Sequence, residues 1–277
     1  MSQILYGAPV AQDIYQQLVA DFDTSWTTPH LTILQVGQNS ASSLYIQKKA
    51  EALEELGGKV TIKNFDKNCS TANLCNFVEQ LNQDSSVNGI LIQLPLPRQI
   101  DTSEVLRTVD PQKDVDGLTP TNIGLITHGM AGTPAATPQA VMKILEYYSI
   151  KLKGKHVAII NNSILLGKPL SPLLSNQKAT VTICHKDTKD IRSITQAADI
   201  IVSATGKPFL VDETYLASDS ILIDVGISRK DNKVVGDFSP GAIQKSTAYT
   251  PVPGGIGPIT VACLVDNLYR KSTYQKK

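Results

Sequence analysis

The sequence predicts an α/β protein of two α/β domains, the C-terminal one a Rossmann-like parallel sheet. Three observations predict it. Short apolar runs alternate with helical patterns along most of the 277 residues. The runs after residue 150 are rich in Val and Ile and nearly continuous in hydrophobicity, as strands buried on both faces must be. The length suits one large or two modest domains.

In the first half, HLTILQV (30–36), KVTIKNF (59–65) and GILIQLP (89–95) read as strands. Between them, SASSLYIQKKAEALEELGG (40–58) and STANLCNFVEQLN (70–82) read as helices. Ser40 or Ser42 can cap the first helix, Gly57-Gly58 can end it, and Ser70 can cap the second. DPQKDVDGLTP (110–120) reads as a loop. Thr137-Pro138 then offers an N-cap and first-turn pair for a helix to about Tyr148. Strands resume at HVAIIN (156–161), TVTICH (180–185), DIIVSA (199–204) and SILIDVG (220–226), and a last helix runs from about Ile259 to Arg270. The expected division is residues 1–118 and 119–257, with 258–277 returning to the first domain. TPVPGGIGPIT (250–260) would then lie at the junction, beside a cleft between the domains.

Composition narrows the function classes. Net charge is +1, with 42% apolar and 18% charged residues, so neither nucleic acid nor a membrane is implied as partner. Cysteines 69, 75, 184 and 263 form no CxxC and match no zinc spacing. They read as reduced thiols of a cytoplasmic protein. The start, MSQILYGAPVAQDIYQQL, lacks the basic region of a signal peptide. Histidines 30, 128, 156 and 185 are scattered and no HExxH occurs, so no metal site is expected.

Some segments carry chemistry. TPVPGGIGPIT packs three prolines and three glycines, without a charge, into eleven residues. That makes a stiff, sharply bent path, either a rigid corner or a bare backbone wall for a flat ligand. In the helix of 40–58, Tyr45, Lys49, Ala52, Leu53 and Leu56 share one stripe, with Lys48, Glu51, Glu54 and Glu55 opposite. An ammonium on the apolar stripe must snorkel, find a partner, or titrate low. KDVDG (113–117) sets Asp114 and Asp116 before a glycine, which alone reads as a turn. QLPLP (93–97) leaves Gln93 at a strand's carboxyl end. After HVAIIN, NNSILLGKP (161–169) keeps only Gly167 of a dinucleotide fingerprint, with Asn161 and Ser163 at the earlier glycine positions.

Taken together, VGQNSASSLYIQKKA, QLPLP, KDVDG, ATVTICH, ATGKP, IDVGI, KVVGD and TPVPGGIGPIT resemble, in order and nearly end to end, the bifunctional methylenetetrahydrofolate dehydrogenase/cyclohydrolase family. The resemblance implies a folate-side domain, a Rossmann domain and a homodimer. It implies catalytic roles for Lys49, Gln93, Tyr45 and Asp116: lysine catalysis, a glutamine beside it, pterin stacking and pterin binding. Ile92, Leu94, Pro253, Gly254, Gly255 and Gly257 would complete the tetrahydrofolate-binding set. Cofactor-binding positions would be Asn161, Asn162, Ser163, Gly167, His185, Lys186, Thr205, Gly206 and Ile227. His185 and Lys186, at the end of the second Rossmann strand, favour NADP, with NAD as the alternative. The family commonly has Gly-Arg-Ser or Gly-Ala-Ser where this chain has Asn161-Asn162-Ser163. A cyclohydrolase-only member and a non-catalytic folate-binding protein are the alternative functions.

Overall fold

The computed structural model describes residues 2–21, 28–37 and 40–274; for 40–45 and 273–274 it describes the backbone alone. The chain divides into two compact units. The first comprises Met1–Asp13 and Thr137–Thr260, the second Ile14–Ala136 and Val261–Lys277. Two stretches therefore fall on the other side of the division expected at 118/119. Met1–Asp13 belongs with the later half because its strand β1 (Gln3–Ile4) pairs with β11 (Ala248–Tyr249). The segment 119–136 belongs with the earlier half, held there by hydrogen bonds described below.

The second unit is built on a three-stranded parallel sheet. Its strands are β2 (His30–Val36), β3 (Lys59–Phe65) and β4 (Gly89–Ile92), in the order β3-β2-β4. The central strand β2 is buried along its length except at Val36, whereas edge strand β3 is mostly exposed, Ile62 included. The helices are α2 (Ser40–Glu55), α3 (Thr71–Gln83), α4 (Thr102–Thr108) and α5 (Pro120–Thr127). Ser70 caps α3 by accepting from Asn73 N. The chain leaves α2 through Gly57, whose φ of +80° suits glycine, with Gly58 N donating to Leu53 O at 3.0 Å. Leu31, Ile33, Leu53, Leu74, Val78, Leu91 and Leu268 form its buried interior.

The first unit is built on a six-stranded parallel sheet in the order β1-β11-β8-β7-β5-β6. The remaining strands are β5 (His156–Ile160), β6 (Thr180–Cys184), β7 (Ile200–Ser203) and β8 (Ile221–Asp224). A hairpin of β9 (Ser228–Lys230) and β10 (Lys233–Val235) stands apart from the sheet. Helices α6 (Ala136–Tyr147), α7 (Gly167–Asn176), α8 (Ile191–Gln196) and α9 (Pro240–Lys245) connect the strands. Helix α6 begins at Ala136, two residues before the Pro138 start that a Thr137 cap suggested. Helix α1 (Gly7–Ala20) follows β1, and α10 (Ile256–Tyr274) ends the described chain. Ala158, Ile201, Val211, Leu222 and Phe238 are among the packed core. Among the described residues, no helix is long and apolar enough to cross a membrane.

Candidate active site

In the second unit, α2 presents Lys49 inward and Lys48 outward, as the apolar stripe predicts. Lys49 is 8% exposed, and Ile46, Ala50 and Leu53 are buried with it. Lys49 forms no ion pair or hydrogen bond with a described residue. Burial lowers its pKa, and the charge of Asp116 opposes that effect. The Tyr45 side chain lies outside the described residues.

Asp116 is positioned by a loop that is itself tightly built. Ile90 N donates to Lys113 O at 2.7 Å, which ties the loop to β4. Asp114 is buried and accepts from Thr119 N at 2.8 Å, Asn122 Nδ2 at 2.9 Å and Leu118 N at 3.3 Å. Lys113 Nζ donates to Leu81 O and Asp84 O at the end of α3. Helix α10 holds the same loop, with Asn267 Nδ2 donating to Val115 O (3.0 Å) and Pro134 O (3.1 Å), and Lys271 Nζ to Pro111 O (2.9 Å). Gly117 has φ +66°, and a Cβ there would come within 2.5 Å of the Pro134 backbone. Asp114 is thus consumed by structure, while the carboxylate of Asp116 is left available. Burial raises the Asp116 pKa to about 6, with Lys49 opposing and Asp114 adding to the rise.

Gln93 stands just past β4. Its Nε2 donates to Leu94 O at 2.9 Å, and its Oε1 is buried without a partner. The amide N–H is thus spent on the local backbone, and the oxygen is the atom left to accept from a cation or a ligand. An orphaned buried carbonyl oxygen is costly and marks where a donor is wanted. Ile92 is buried in β4, and Leu94 is half-buried before a cis Pro95.

In the first unit, the β5–α7 turn lacks two of the three fingerprint glycines yet is closed. Asn161 Oδ1 accepts from Ser163 N and Ser163 Oγ at 2.8 Å and from Gly167 N at 3.2 Å. Its Nδ2 donates to Ala204 O at 2.7 Å, linking the turn to the end of β7. The Ser163 hydroxyl proton is thus engaged inside the turn. Gly167 is buried, and a Cβ there would lie 1.8 Å from Asn161 O. It serves as the third fingerprint glycine does, allowing strand and helix to close up. Asn162 is exposed.

His185, Lys186 and Asp187 follow β6 in an exposed turn, in which His185 N donates to Thr188 Oγ1 and Asp187 N to His185 Nδ1. Thr205 N donates to the buried carboxylate of Asp237, and Gly206 has φ +66°. Ile227 is an exposed apolar side chain beside buried Gly226. Asp224 and Asp237 beneath these loops carried no assigned role in the sequence reading; their motifs IDVGI and KVVGD were the available signal.

The glycine-rich segment also lies mainly in the first unit. Gly254 has φ +107° and its carbonyl accepts from Gly7 N at 2.8 Å. A Cβ on Gly7 would fall 1.8 Å from Gly255 O, and one on Gly255 would fall 2.7 Å from Pro251 O. Gly255 therefore serves close packing against the start of α1, Pro253 is exposed, and Gly257 lies in the first turn of α10.

Residues 5–116 match the catalytic-domain model of tetrahydrofolate dehydrogenase/cyclohydrolase, and residues 135–276 match its NAD(P)-binding domain. The chain is 39% identical to the bifunctional protein FolD of Lactobacillus acidophilus over 99% of both chains. Among solved structures, it resembles the FolD dehydrogenase/cyclohydrolase of Campylobacter jejuni, with TM-score 0.91 at 36% identity over 99% of both chains. It also resembles the Trypanosoma brucei FolD solved with NADP and an inhibitor, with TM-score 0.92 at 30% identity, covering 100% of this chain and 99% of that one. With both of its units matched, the chain belongs to the tetrahydrofolate dehydrogenase/cyclohydrolase family.

Proposed function

We infer that the chain catalyses both reactions of its family. It oxidises 5,10-methylenetetrahydrofolate to the 5,10-methenyl cation with NADP, then hydrolyses that cation to 10-formyltetrahydrofolate. One observation carries the reading: a buried lysine and an uncommitted carboxylate influence each other's charge, while Gln93 Oε1 lacks a donor. Asp116 accepts hydrogen bonds from the planar donor edge of the pterin, while Asp114 keeps the loop in shape. Tyr45 stacks on the heterocycle. Lys49, with its pKa lowered, takes a proton from the attacking water and returns it as the ring opens. Gln93 Oε1 accepts from the Lys49 ammonium or from the substrate and so influences which protonation state is held. The family resemblance assigns folate binding to Ile92 and Leu94 in the second unit and to Pro253, Gly254, Gly255 and Gly257 in the first.

The nicotinamide, when bound, supplies the hydride acceptor. Asn161, Asn162, Ser163 and Gly167 form the turn that receives its phosphates, and Thr205, Gly206 and Ile227 the loops against its nicotinamide end. Exposed His185 and Lys186 give the ribose 2′-phosphate its counter-charge, which favours NADP over NAD. The closed 161–167 turn removes the main reason for reading the chain as cyclohydrolase-only. Four cysteines outside any disulfide suit a cytoplasmic enzyme, and the family resemblance suggests a homodimer. Asp116→Ala tests the shared folate site. It leaves pterin donors unpaired, so both activities should fall together by about 10²-fold, and calorimetry should show folate binding weakened by roughly 2–3 kcal/mol. Normal folate binding in that variant would reduce Asp116 to a turn residue.

A further inference from the structure

Beneath the proposed nicotinamide loops lie two buried carboxylates that the reaction does not use. Asp224 ends β8 and is 4% exposed; Asp237 follows β10 and is fully buried. Each is admitted by a glycine beside the other. A Cβ on Gly226 would lie 2.1 Å from Asp237 Oδ1, and one on Gly236 would lie 2.0 Å from Asp224 Oδ2. Asp224 Oδ2 accepts from Asp237 N at 2.9 Å and Phe238 N at 3.1 Å, and its Oδ1 accepts from Gly226 N at 3.0 Å. Asp237 Oδ2 accepts from Ser203 Oγ at 2.7 Å and from Thr205 N. Asp237 Oδ1 has no partner.

The elements around the pair supply no compensating charge. Strand β7 offers Ser203, and β11 leads to Thr250, whose Oγ1 accepts from Asp224 N. Lys207 on the 205 loop and Arg229, Lys230 and Lys233 on the hairpin are exposed, and among the described residues none forms an ion pair with either carboxylate. Two anions in a dry site without a cation are strongly unfavourable, and one proton kept by the pair removes the repulsion. We propose that this pair keeps one proton and a single negative charge, and that the proton latches the loops carrying Thr205, Gly206 and Ile227 into the shape that binds the cofactor. Both are positioning residues, acting through backbone N–H groups of those loops. Burial pushes Asp224 up to about 7 against the backbone N–H groups of Phe238, Asp237 and Gly226, which favour the anion, and the charge of Asp237 adds to the rise. The latch is closed below about 7 and releases its proton above it.

The proposal rests on reading these loops as cofactor-binding, and two measurements keep the two apart. The first follows NADPH binding to the full chain by fluorescence between pH 7 and 9, above the 2′-phosphate titration near about 6. Wild type should lose affinity by roughly tenfold over that range. Asp237→Asn replaces the orphan oxygen with a donor and removes the pair's proton, so its Kd should change less than about twofold over the same range. An unchanged pH slope in Asp237→Asn, or loss of binding at every pH, would overturn the latch. The second measurement follows the aspartate side-chain carboxyl carbons of the ligand-free wild type by 13C NMR, which needs no variant to fold. One of the pair should titrate near neutrality; two carboxylates already ionised at pH 5 would refute the retained proton. A wild type that binds no NADPH at any pH would contradict the cofactor reading and the latch's role, while the carbon titration would still decide whether the proton exists.

Discussion

Lys48 and Lys49 are chemically identical neighbours whose helical phase gives them different surroundings, one exposed and one buried. Lys49→Gln preserves length and polarity but cannot transfer a proton. Cyclohydrolase activity should fall by about 10²-fold or more, dehydrogenase activity less, and Lys48→Gln should alter neither. Steady-state assays of both activities check this, and an essential Lys48 would refute the assignment. Asp116 makes a second prediction. Its pKa in the folded chain is about 6 against an ordinary 3.8, so the folded state holds the proton more tightly. Stability therefore falls as pH rises from about 4 to about 6, and the full cost remains above that. The shift, which already includes the opposing charge of Lys49, corresponds to about 3 kcal/mol, and solvent reaching the half-buried side chain reduces it to about 1–2 kcal/mol. Asp116→Asn should unfold at a higher temperature than wild type at pH 7, and the gap should close near pH 4; equal melting temperatures throughout would contradict this. The side of Lys49 was legible because 100° periodicity fixes which face is apolar. The unpartnered Gln93 oxygen was not, because it depends on how an amide is turned.

At the scale of elements, the loop bearing Asp116 is held by four elements: β4, α3, α5 and α10. Asp114→Ala strips the acceptor from Leu118 N, Thr119 N and Asn122 Nδ2 in a buried site, at a cost of about 2–4 kcal/mol. Thermal unfolding should register that cost, and KM for the folate should rise with Asp116 chemically intact; a variant with wild-type stability would show the hydrogen bonds to be dispensable. Sequence marked 110–120 as a loop because Asp, Pro and Gly dominate it. It missed α5, whose PTNIGLIT is short and interrupted by glycine, although Thr119-Pro120 is a cap and first-turn pair. Helix α7 was obscured in the same way by Pro169 and Pro172. Strands β4, β5 and β7 were legible because burial on both faces leaves them almost wholly apolar, whereas β1 and β11 have two residues each and carry no period.

At the scale of the whole molecule, the two α/β units and the parallel sheet were legible from alternation, but their limits were not. Residues 1–13 join the later unit through a two-residue strand pairing, and 119–136 join the earlier one through the single side chains of Asp114, Asn122 and Asn267. Local pattern carries no trace of a partner as distant as Ala248 is from Gln3 or Asn267 from Pro134, nor of which turn a single side chain such as Asn122 will hold. The dinucleotide turn shows the converse case, in which the motif is degraded but the side chain of Asn161 makes the closure that glycine would otherwise allow. The central claim is that one chain performs both folate reactions with NADP. The most direct test measures, on one preparation of the wild-type chain, methylenetetrahydrofolate oxidation with NADP and with NAD alongside methenyltetrahydrofolate hydrolysis. Both reactions should be present, with kcat/KM for NADP about tenfold or more above that for NAD, and Lys186→Ala should abolish most of that preference. Hydrolysis without oxidation by either nucleotide, or a preference for NAD, would contradict it.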